Sequence, residues 1–239
     1  MSFRHSVTIV ASPRPRVGKT LLARLLTDFH IHEGRSVEAF DLNSGEGTLA
    51  QFLPAHATAS EIADIKGQMA LFDRLVGDDG ITKVVDLGHA SFESFFAVAR
   101  QIGFAEEARR RGIAPAILFV ITPDQTSVES YSRLRSRIPQ AALTPVLNEM
   151  LGSAQHRDKY PTAGTGTTPV RFPVLAPGLC RYIDKPPFSF AESRLANAKD
   201  IPLNVHIELQ RWLRKIYLEF RELDLHILLA DLQSSIRLS

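Results

Sequence analysis

The chain has 239 residues, of which 44% are hydrophobic and 23% charged, and its formal net charge is +2. This composition excludes a largely disordered or fibrous protein and is typical of a globular protein with one substantial core. The single cysteine, Cys180, excludes an internal disulfide, and the small net charge does not by itself indicate nucleic acid as a partner.

The first third of the chain predicts strands that alternate with helices. Val7–Ala11 is a β-branched run typical of a buried parallel strand, and apolar residues recur at helical spacing over Thr20–His32, until Gly34 ends the helix. Further strands are predicted at Ser36–Leu42, Thr82–Asp86, Pro115–Ile121, Leu143–Leu147 and Pro169–Leu175. Helices are predicted over Ser60–Val76 and over about Leu203–Leu232.

This alternation predicts an α/β fold, with a doubly wound, mostly parallel sheet and helices on both of its faces. No boundary between domains is visible in the composition, so we expect residues 1–239 to form a single domain. The helical segment at about 203–232 is expected to pack on that domain through its apolar face.

The segment Pro13–Thr20, with the sequence PRPRVGKT, lies between the first strand and the first helix. It matches the Walker A pattern G-x-x-x-x-G-K-[ST], except that Pro13 replaces the first glycine. Such a loop surrounds a polyphosphate with backbone N–H groups, while Lys19 adds a charge at the β- and γ-phosphates and Thr20 a hydroxyl ligand for Mg²⁺. Arg16 stands where a glycine is usual, so we expect backbone strain there.

The loop resembles the deviant Walker A motif K-G-G-x-G-K-[ST] of the ParA/MinD ATPases, with two of its glycines replaced. The resemblance implies that Arg14 takes the place of the lysine that reaches the partner's nucleotide across a dimer. It also assigns nucleotide binding to the loop and the start of the helix, namely Arg14, Pro15, Arg16, Val17, Gly18, Lys19, Thr20 and Leu21.

Two acidic strand ends continue the resemblance. Gly34–Asn43 resembles the second strand and switch I, where Asp41 fits the family's first acid, near Mg²⁺, and Asn43 replaces the second acid. An amide can orient the attacking water but cannot accept its proton, so Asn43 favours slow ATP hydrolysis. Lys83–Gly88 resembles the Walker B strand and switch II, which implies that Asp86 holds Mg²⁺ directly or through water. Lys19, Arg14, Asp41 and Asn43 are the catalytic candidates.

Two later strands resemble the part of the family that surrounds the base. Pro145–Asn148 resembles a strand whose final asparagine reads adenine, and Phe172–Leu175 resembles a strand followed by a loop beside the base, which implies a contact from Pro173. A narrower likeness, to the ParA-like ATPases of conjugative and mobilisation systems, rests on Val85–Phe92.

The resemblance implies an ATP-dependent dimerising switch with ATP and Mg²⁺ as cofactors, a weak or activator-dependent ATPase, and a role in partitioning or positioning DNA or a macromolecular complex. It also implies a homodimer and an activating or cargo protein. Two alternatives remain open: a degenerate, non-hydrolysing nucleotide-binding scaffold, and a metabolic P-loop enzyme similar to dethiobiotin synthetase.

Other partners are judged from charge and hydropathy. Two arginine clusters, Arg109–Arg111 and the group Arg133, Arg135 and Arg137, are more typical of solvated helix faces than of a DNA-binding surface, so non-specific DNA binding stays open. Glutamates among the basic residues of the C-terminal helix disfavour membrane binding. The start of the chain lacks the apolar core of a signal peptide, and no apolar run approaches the ~20 residues of a membrane span, so a cytoplasmic location is expected.

Overall fold

The structure, a computed structural model, describes residues 5–43, 45, 47–152, 157–161, 168–193 and 201–236. Its strands are β1 (Ser6–Ala11), β2 (Val37–Asp41), β3 (Ala57–Ala59), β4 (Thr82–Asp86), β5 (Ala114–Val120), β6 (Ala142–Asn148) and β7 (Val170–Phe172). They form one seven-stranded sheet in the order β3-β2-β4-β1-β5-β6-β7, and all neighbouring strands are parallel. The predicted doubly wound α/β fold is therefore confirmed.

The helices of the described chain connect these strands. They are α1 (Lys19–His32), α2 (Leu49–Phe52), α3 (Ile65–Leu75), α4 (Phe92–Gln101), α5 (Phe104–Arg110), α6 (Gln125–Arg137), α7 (Pro177–Ile183), α8 (Phe190–Ser193) and α9 (Leu203–Ile236). α1 ends as the sequence predicts, because Gly34 adopts a φ of 72° and Arg35 donates its backbone N–H to the carbonyl of His30.

Two apolar cores lie on opposite faces of the sheet. Alternation along β1 places Val7 and Ile9 in one core and Val10 in the other. The first core is covered by α3, α4, α5 and α6, and the second by α1, α2, α7, α8 and α9. In the second core α9 buries Leu213, Ile216 and several neighbours against the sheet. Among the described residues, no helix is long and apolar enough to cross a membrane.

The predicted elements differ from the observed ones mainly at their ends. The helix predicted from Ser60 begins only at Ile65, because Asp64 caps it by accepting a hydrogen bond from the N–H of Gly67. The edge strand β3 was not predicted, since its short Ala-Thr-Ala sequence has little β-branched character. The strand predicted over Pro169–Leu175 spans only Val170–Phe172, and Pro173, which follows it, has no N–H to extend the ladder.

Candidate nucleotide-binding site

The candidate site lies at the carboxyl ends of β1, β2 and β4. β1 is the strand at which the order of the sheet reverses, with β4 on one side and β5 on the other. Ligands of open α/β sheets bind at this kind of switch point, outside the carboxyl ends of the strands. The loop that follows β1 leads directly into α1, so the predicted phosphate loop is at this position.

Two left-handed residues shape that loop. Gly18 has a φ of 89°, and Arg16 has a φ of 57°, the only positive value for a residue other than glycine in the described part of the chain. The strain predicted at Arg16 is therefore confirmed. Pro15 and Arg16 are exposed, whereas Val17 is buried under the loop.

The start of α1 leaves backbone donors free. Gly18 is its N-cap, and no side chain of the described residues caps the amides of the first turn. Those amides belong to Lys19, Thr20 and Leu21, of which Thr20 and Leu21 are half-buried. An uncapped N-terminus of a 14-residue helix can receive an anion, because its N–H groups and its dipole both favour negative charge.

Lys19 folds back into its own loop. It is only 6% exposed, and its Nζ donates to the backbone carbonyl of Arg14 at 2.7 Å. Burial lowers the pKa of this ammonium, while the nearby carboxylate of Asp86 raises it. The single hydrogen bond holds the ammonium within the loop, where a phosphate could replace the carbonyl as its partner.

Arg14 is held by an acid from a distant part of the chain. Its Nε and Nη2 donate to Oδ1 of Asp124, at 2.9 and 2.5 Å. Asp124 also caps α6, by accepting from the N–H of Ser127, and its Oδ2 accepts from the hydroxyl of Thr122 at 2.6 Å. The hydrogen bonds from Arg14 hold the pKa of Asp124 far below its usual range. Arg14 thus joins the phosphate loop to the N-terminus of α6.

Asp86 is a fully buried carboxylate. Neither of its oxygens makes a hydrogen bond of ordinary geometry in the described structure, although the side chains of Thr20 and Asn43 lie close enough to lower its pKa. Burial raises its pKa to about 7, and the neighbouring Asp41 adds to the rise, while Thr20 and Lys19 oppose it. A buried carboxylate in this state is costly unless a cation compensates it.

Asp41 is the register neighbour of Asp86 and has the opposite environment. The two residues face each other across β2 and β4. Oδ1 of Asp41 accepts from the backbone N–H and the side-chain Nδ2 of Asn43, at 3.0 and 3.1 Å, and Oδ2 accepts from the N–H of Ala50 at 2.8 Å. Asn43 also donates to the carbonyl of Asp86 at 3.3 Å. Asp41 therefore organises its loop, and its predicted metal role stays a prediction.

The loops after β2 and β4 touch at Gly88. A Cβ at this position would lie 2.6 Å from the carbonyl oxygen of Leu42 and 3.1 Å from Oδ1 of Asn43. Only glycine permits this approach without a shift of one of the two loops. The segments that resemble switch I and switch II are therefore in direct contact.

Asn148 braces the phosphate loop from the side. It is 2% exposed, its Nδ2 donates to the carbonyl of Val17 at 3.0 Å, and its Oδ1 accepts from the N–H of Met150. A Cβ on Gly18 would lie 3.1 Å from that Nδ2 and 3.3 Å from the ring of Phe172. Pro173, next in the chain, accepts a hydrogen bond at its carbonyl from the indole of Trp212. Adenine contacts from Asn148 and Pro173 stay predictions.

These residues fit Mg²⁺ and a polyphosphate. The hydroxyl of Thr20 and an unpaired carboxylate, Asp86, are hard oxygen ligands of the kind that Mg²⁺ takes together with phosphate and water. The free amides at the start of α1 and the ammonium of Lys19 fit the phosphates. Among the described residues no cluster of three or more His, Cys, Asp or Glu could hold a metal by itself.

Asp124 and the bracing role of Asn148 were not predicted from the sequence. An acid three positions after the predicted strand Pro115–Ile121 was the available signal for Asp124, because it belongs to the same edge of the sheet as Asp41 and Asp86. Its partner Arg14 stands 110 positions away, a pairing that no local pattern indicates.

Comparison with known proteins supports the fold. No protein-family model and no curated protein sequence matches the chain. Among solved structures, a chain of the MinC:MinD cell division protein complex of Aquifex aeolicus is similar, with 15% sequence identity and a TM-score of 0.50 over 75% of this chain and 85% of that chain. The chain therefore shares the doubly wound α/β fold of that structure. At this identity the similarity extends to architecture alone, so activity and partners are argued from the residues of the site.

Proposed function

We propose that the chain is an ATP-binding switch of the ParA/MinD type, in which Mg²⁺ and ATP bind on the loop Pro13–Thr20 and favour association of two copies. The observation that carries the proposal is the fully buried carboxylate of Asp86, which has no hydrogen bond of ordinary geometry and lies close to Lys19 and Thr20. Lys19 and Thr20 offset only part of the cost of burying this charge, since its pKa stays raised to about 7, and a bound Mg²⁺ would offset the rest.

Each residue of the site has a distinct part in nucleotide binding. The first amides of α1 and Lys19 would hold the phosphates, and Thr20 with Asp86 would hold Mg²⁺, which screens the phosphate charge. Asn148 would keep the loop in its binding conformation through its hydrogen bond to Val17. Lys19 would exchange its present acceptor, the carbonyl of Arg14, for a phosphate oxygen.

Arg14 supports the dimer. Its side chain is 40% exposed at the edge of the site, and a guanidinium can contact phosphate oxygens through two parallel hydrogen bonds. Two of its five N–H donors are used by Asp124, so a contact with the nucleotide of a second copy would compete with that ion pair for the guanidinium charge. Dimerisation would therefore be sensitive to the strength of the ion pair between Arg14 and Asp124.

Slow hydrolysis is supported by the surroundings of Asn43. Its amide nitrogen donates to Asp41 and to the carbonyl of Asp86, so the group is committed to holding the two loops together. Position 43 therefore offers no carboxylate that could accept a proton from the attacking water. An activating protein would then be needed for fast turnover, and the similar structure is itself a complex of MinD with a second protein, MinC. Partitioning or positioning of DNA or of a large complex is the proposed output.

The proposal is tested by calorimetry with Mg²⁺ and ATP, next to size-exclusion chromatography with and without ATP. We expect the unmodified chain to bind ATP and to shift from monomer to dimer. Lys19→Ala should lose affinity by at least about tenfold, since it removes a buried charge at the phosphates. Arg14→Ala should still bind ATP but remain monomeric. Lys66→Ala, an exposed residue of α3, is the matched control and should behave like the unmodified chain.

A second function, a nucleotide-free scaffold, is favoured by one observation. The ammonium of Lys19 is already satisfied by a carbonyl of its own loop. Absence of binding at millimolar ATP in the unmodified chain would exclude the switch and support the scaffold. ATP binding without dimerisation would support a nucleotide-stabilised scaffold instead.

A further inference from the structure

A groove runs between α4 and α6, on the face of the sheet opposite α1. Its floor is apolar and well packed, with each floor side chain at most 7% exposed; it consists of Phe92, Phe96, Leu134 and Ile138. Ala97 forms an exposed part of one wall. The cavity has a volume of about 70 Å³, which suits a small apolar group.

Positive charge surrounds this floor. Arg100, Arg133 and Arg137 line the groove, and Glu93 is the one acid among its lining residues. Nη2 of Arg133 donates to Glu93 at 2.8 Å. The side chains of Arg100 and Arg137 have neither a hydrogen bond nor an ion pair with any residue that the structure describes. Two uncompensated guanidinium groups therefore stand at the end of the groove where α4 and α6 terminate.

The other arginine cluster of the chain is different. Arg110 and Arg111 both pair with Glu107, at 2.7 and 2.5 Å, and Arg109 donates to the carbonyl of Gln140. The guanidinium groups of this cluster are therefore bonded to acceptors of the same chain. Of the two arginine clusters, only the one at the groove between α4 and α6 combines an apolar cavity with guanidinium groups that have no partner among the described residues.

We infer that this groove binds an acidic segment of a partner protein, which places an apolar side chain in the cavity and a carboxylate between Arg100 and Arg137. Concave apolar surfaces with a few polar groups at the rim are typical of sites that bind peptides and small ligands. A guanidinium pair at the rim selects carboxylate and disfavours basic segments.

Duplex DNA fits this surface less well. Glu93 is 67% exposed at the rim, where it would repel a phosphate backbone. DNA-binding surfaces contact several phosphates, whereas the groove offers two unpaired cations around an apolar floor. A protein segment can place an apolar side chain on the floor and a carboxylate at the arginines of the rim.

The position of the groove relates it to the candidate nucleotide site, although the inference does not rest on nucleotide binding. α4 begins at Phe92, shortly after Gly88, and α6 is capped by Asp124, the acid that holds Arg14. Both walls of the groove therefore begin at loops of the site.

The test is a selection of random displayed peptides of about twelve residues on the unmodified chain without nucleotide, followed by titration of the purified peptides. We expect enriched peptides that combine Asp or Glu with Leu, Ile or Phe. Their affinity should fall at least about tenfold for the double variant R100E/R137E, because each substitution replaces attraction by repulsion. The variant Ala97→Arg, which puts a bulky cation on the wall of the cavity, should also weaken binding.

The matched control is R135E/R214E, which changes the net charge equally at two exposed arginines that do not line the groove. It should bind the selected peptides like the unmodified chain. Failure to enrich any peptide, or equal losses in the two double variants, would overturn the inference. So would duplex DNA that binds the unmodified chain and not R100E/R137E while no acidic peptide does. Circular dichroism of each variant excludes unfolding as the cause of a loss.

Discussion

Arg14 and Asp124 form an ion pair between the phosphate loop and the first turn of α6, with Nε and Nη2 of the arginine on one carboxylate oxygen. The resemblance to ParA/MinD ATPases gives the residue at position 14 a different partner, the nucleotide of a second copy. Asp124 already takes two of the five N–H donors of the guanidinium and fixes its orientation, so a phosphate of a second copy would compete for the same charge. Asp124 would therefore act as an internal competitor of the dimer contact.

Asp124→Asn tests this competition. Asparagine is as good an N-cap as aspartate, so α6 should keep its first turn, while the charge that holds Arg14 is removed. We expect ATP-dependent dimerisation at a protein concentration several-fold lower than for the unmodified chain, measured by size-exclusion chromatography with light scattering over a concentration series. The control is Asp64→Asn, which makes the same change at the capping residue of another helix, α3. Weaker dimerisation of Asp124→Asn, with unchanged ATP affinity, would mean that the pair positions Arg14 for the dimer.

Asp41 and Asp86 should respond oppositely to the same substitution, although they are neighbours across β2 and β4. Asp41→Asn disturbs a carboxylate that accepts three hydrogen bonds, so we expect a loss of about 1–3 kcal/mol in the free energy of unfolding. Asp86→Asn removes a fully buried charge whose burial outweighs its contacts with Thr20 and Lys19, and the chain without ligand should gain about 1 kcal/mol.

Urea denaturation with and without Mg²⁺ and ATP separates the effect of Asp86 on the stability of the free chain from its effect on metal binding. For the unmodified chain, binding should raise the unfolding free energy, because the ligand binds only the folded state. For Asp86→Asn the gain from Mg²⁺ should disappear. A destabilised Asp86→Asn variant in the absence of ligand would show that this carboxylate has a structural role instead.

The sequence predicts those parts of the fold that depend on neighbouring residues. The buried strands are continuous apolar runs, and Gly34 and the strained Arg16 follow from the backbone preferences of single positions. The strand ends place Asp41 and Asp86 at one edge of the sheet because all strands are parallel. For these features, local pattern and overall fold agree.

Contacts between residues that are far apart in the sequence cannot be predicted from local patterns. Asn148 bonds to Val17, 131 positions away, and this contact depends on the exact register of β6 against the loop. The hydrogen bonding of each acid cannot be read from the sequence either. Asp41 and Asp86 occupy equivalent strand ends, yet Asp41 accepts three hydrogen bonds and Asp86 accepts none of ordinary geometry. Such differences arise from loop geometry that no periodicity encodes.

Gly88→Ala tests the contact between the two switch-like loops. The added Cβ would meet the carbonyl oxygen of Leu42 at 2.6 Å, so one loop must move. We expect a loss of about 1–3 kcal/mol in unfolding free energy, typical of overpacking, and weaker ATP binding by calorimetry. Gly178→Ala is the matched control: no atom lies within 4 Å of its Cβ position, and it stands in α7. Gly178→Ala should leave the unfolding free energy unchanged or raise it slightly. Equal unfolding free energies and ATP affinities of the two variants would contradict a tight contact at Gly88.

His30 should make folding stability depend on pH. Burial, aided by the charge of Arg35, lowers its pKa to about 3, whereas an unfolded histidine titrates near 6.5. Below pH 6.5 the unfolded chain therefore takes up a proton that the folded chain refuses, and the stability present above pH 6.5 is lost as the pH falls toward 3. The free energy of unfolding falls by up to about 1.4 kcal/mol per pH unit in this range.

The variant His30→Gln, which keeps an acceptor for Arg35, tests this effect by urea denaturation at pH 7 and pH 5. The unfolding free energy that is lost between the two pH values should be smaller by about 1–2 kcal/mol than in the unmodified chain. His89→Gln, at an exposed position, should leave the loss unchanged, and an unchanged loss in His30→Gln would show that His30 is already accessible to protons in the folded chain.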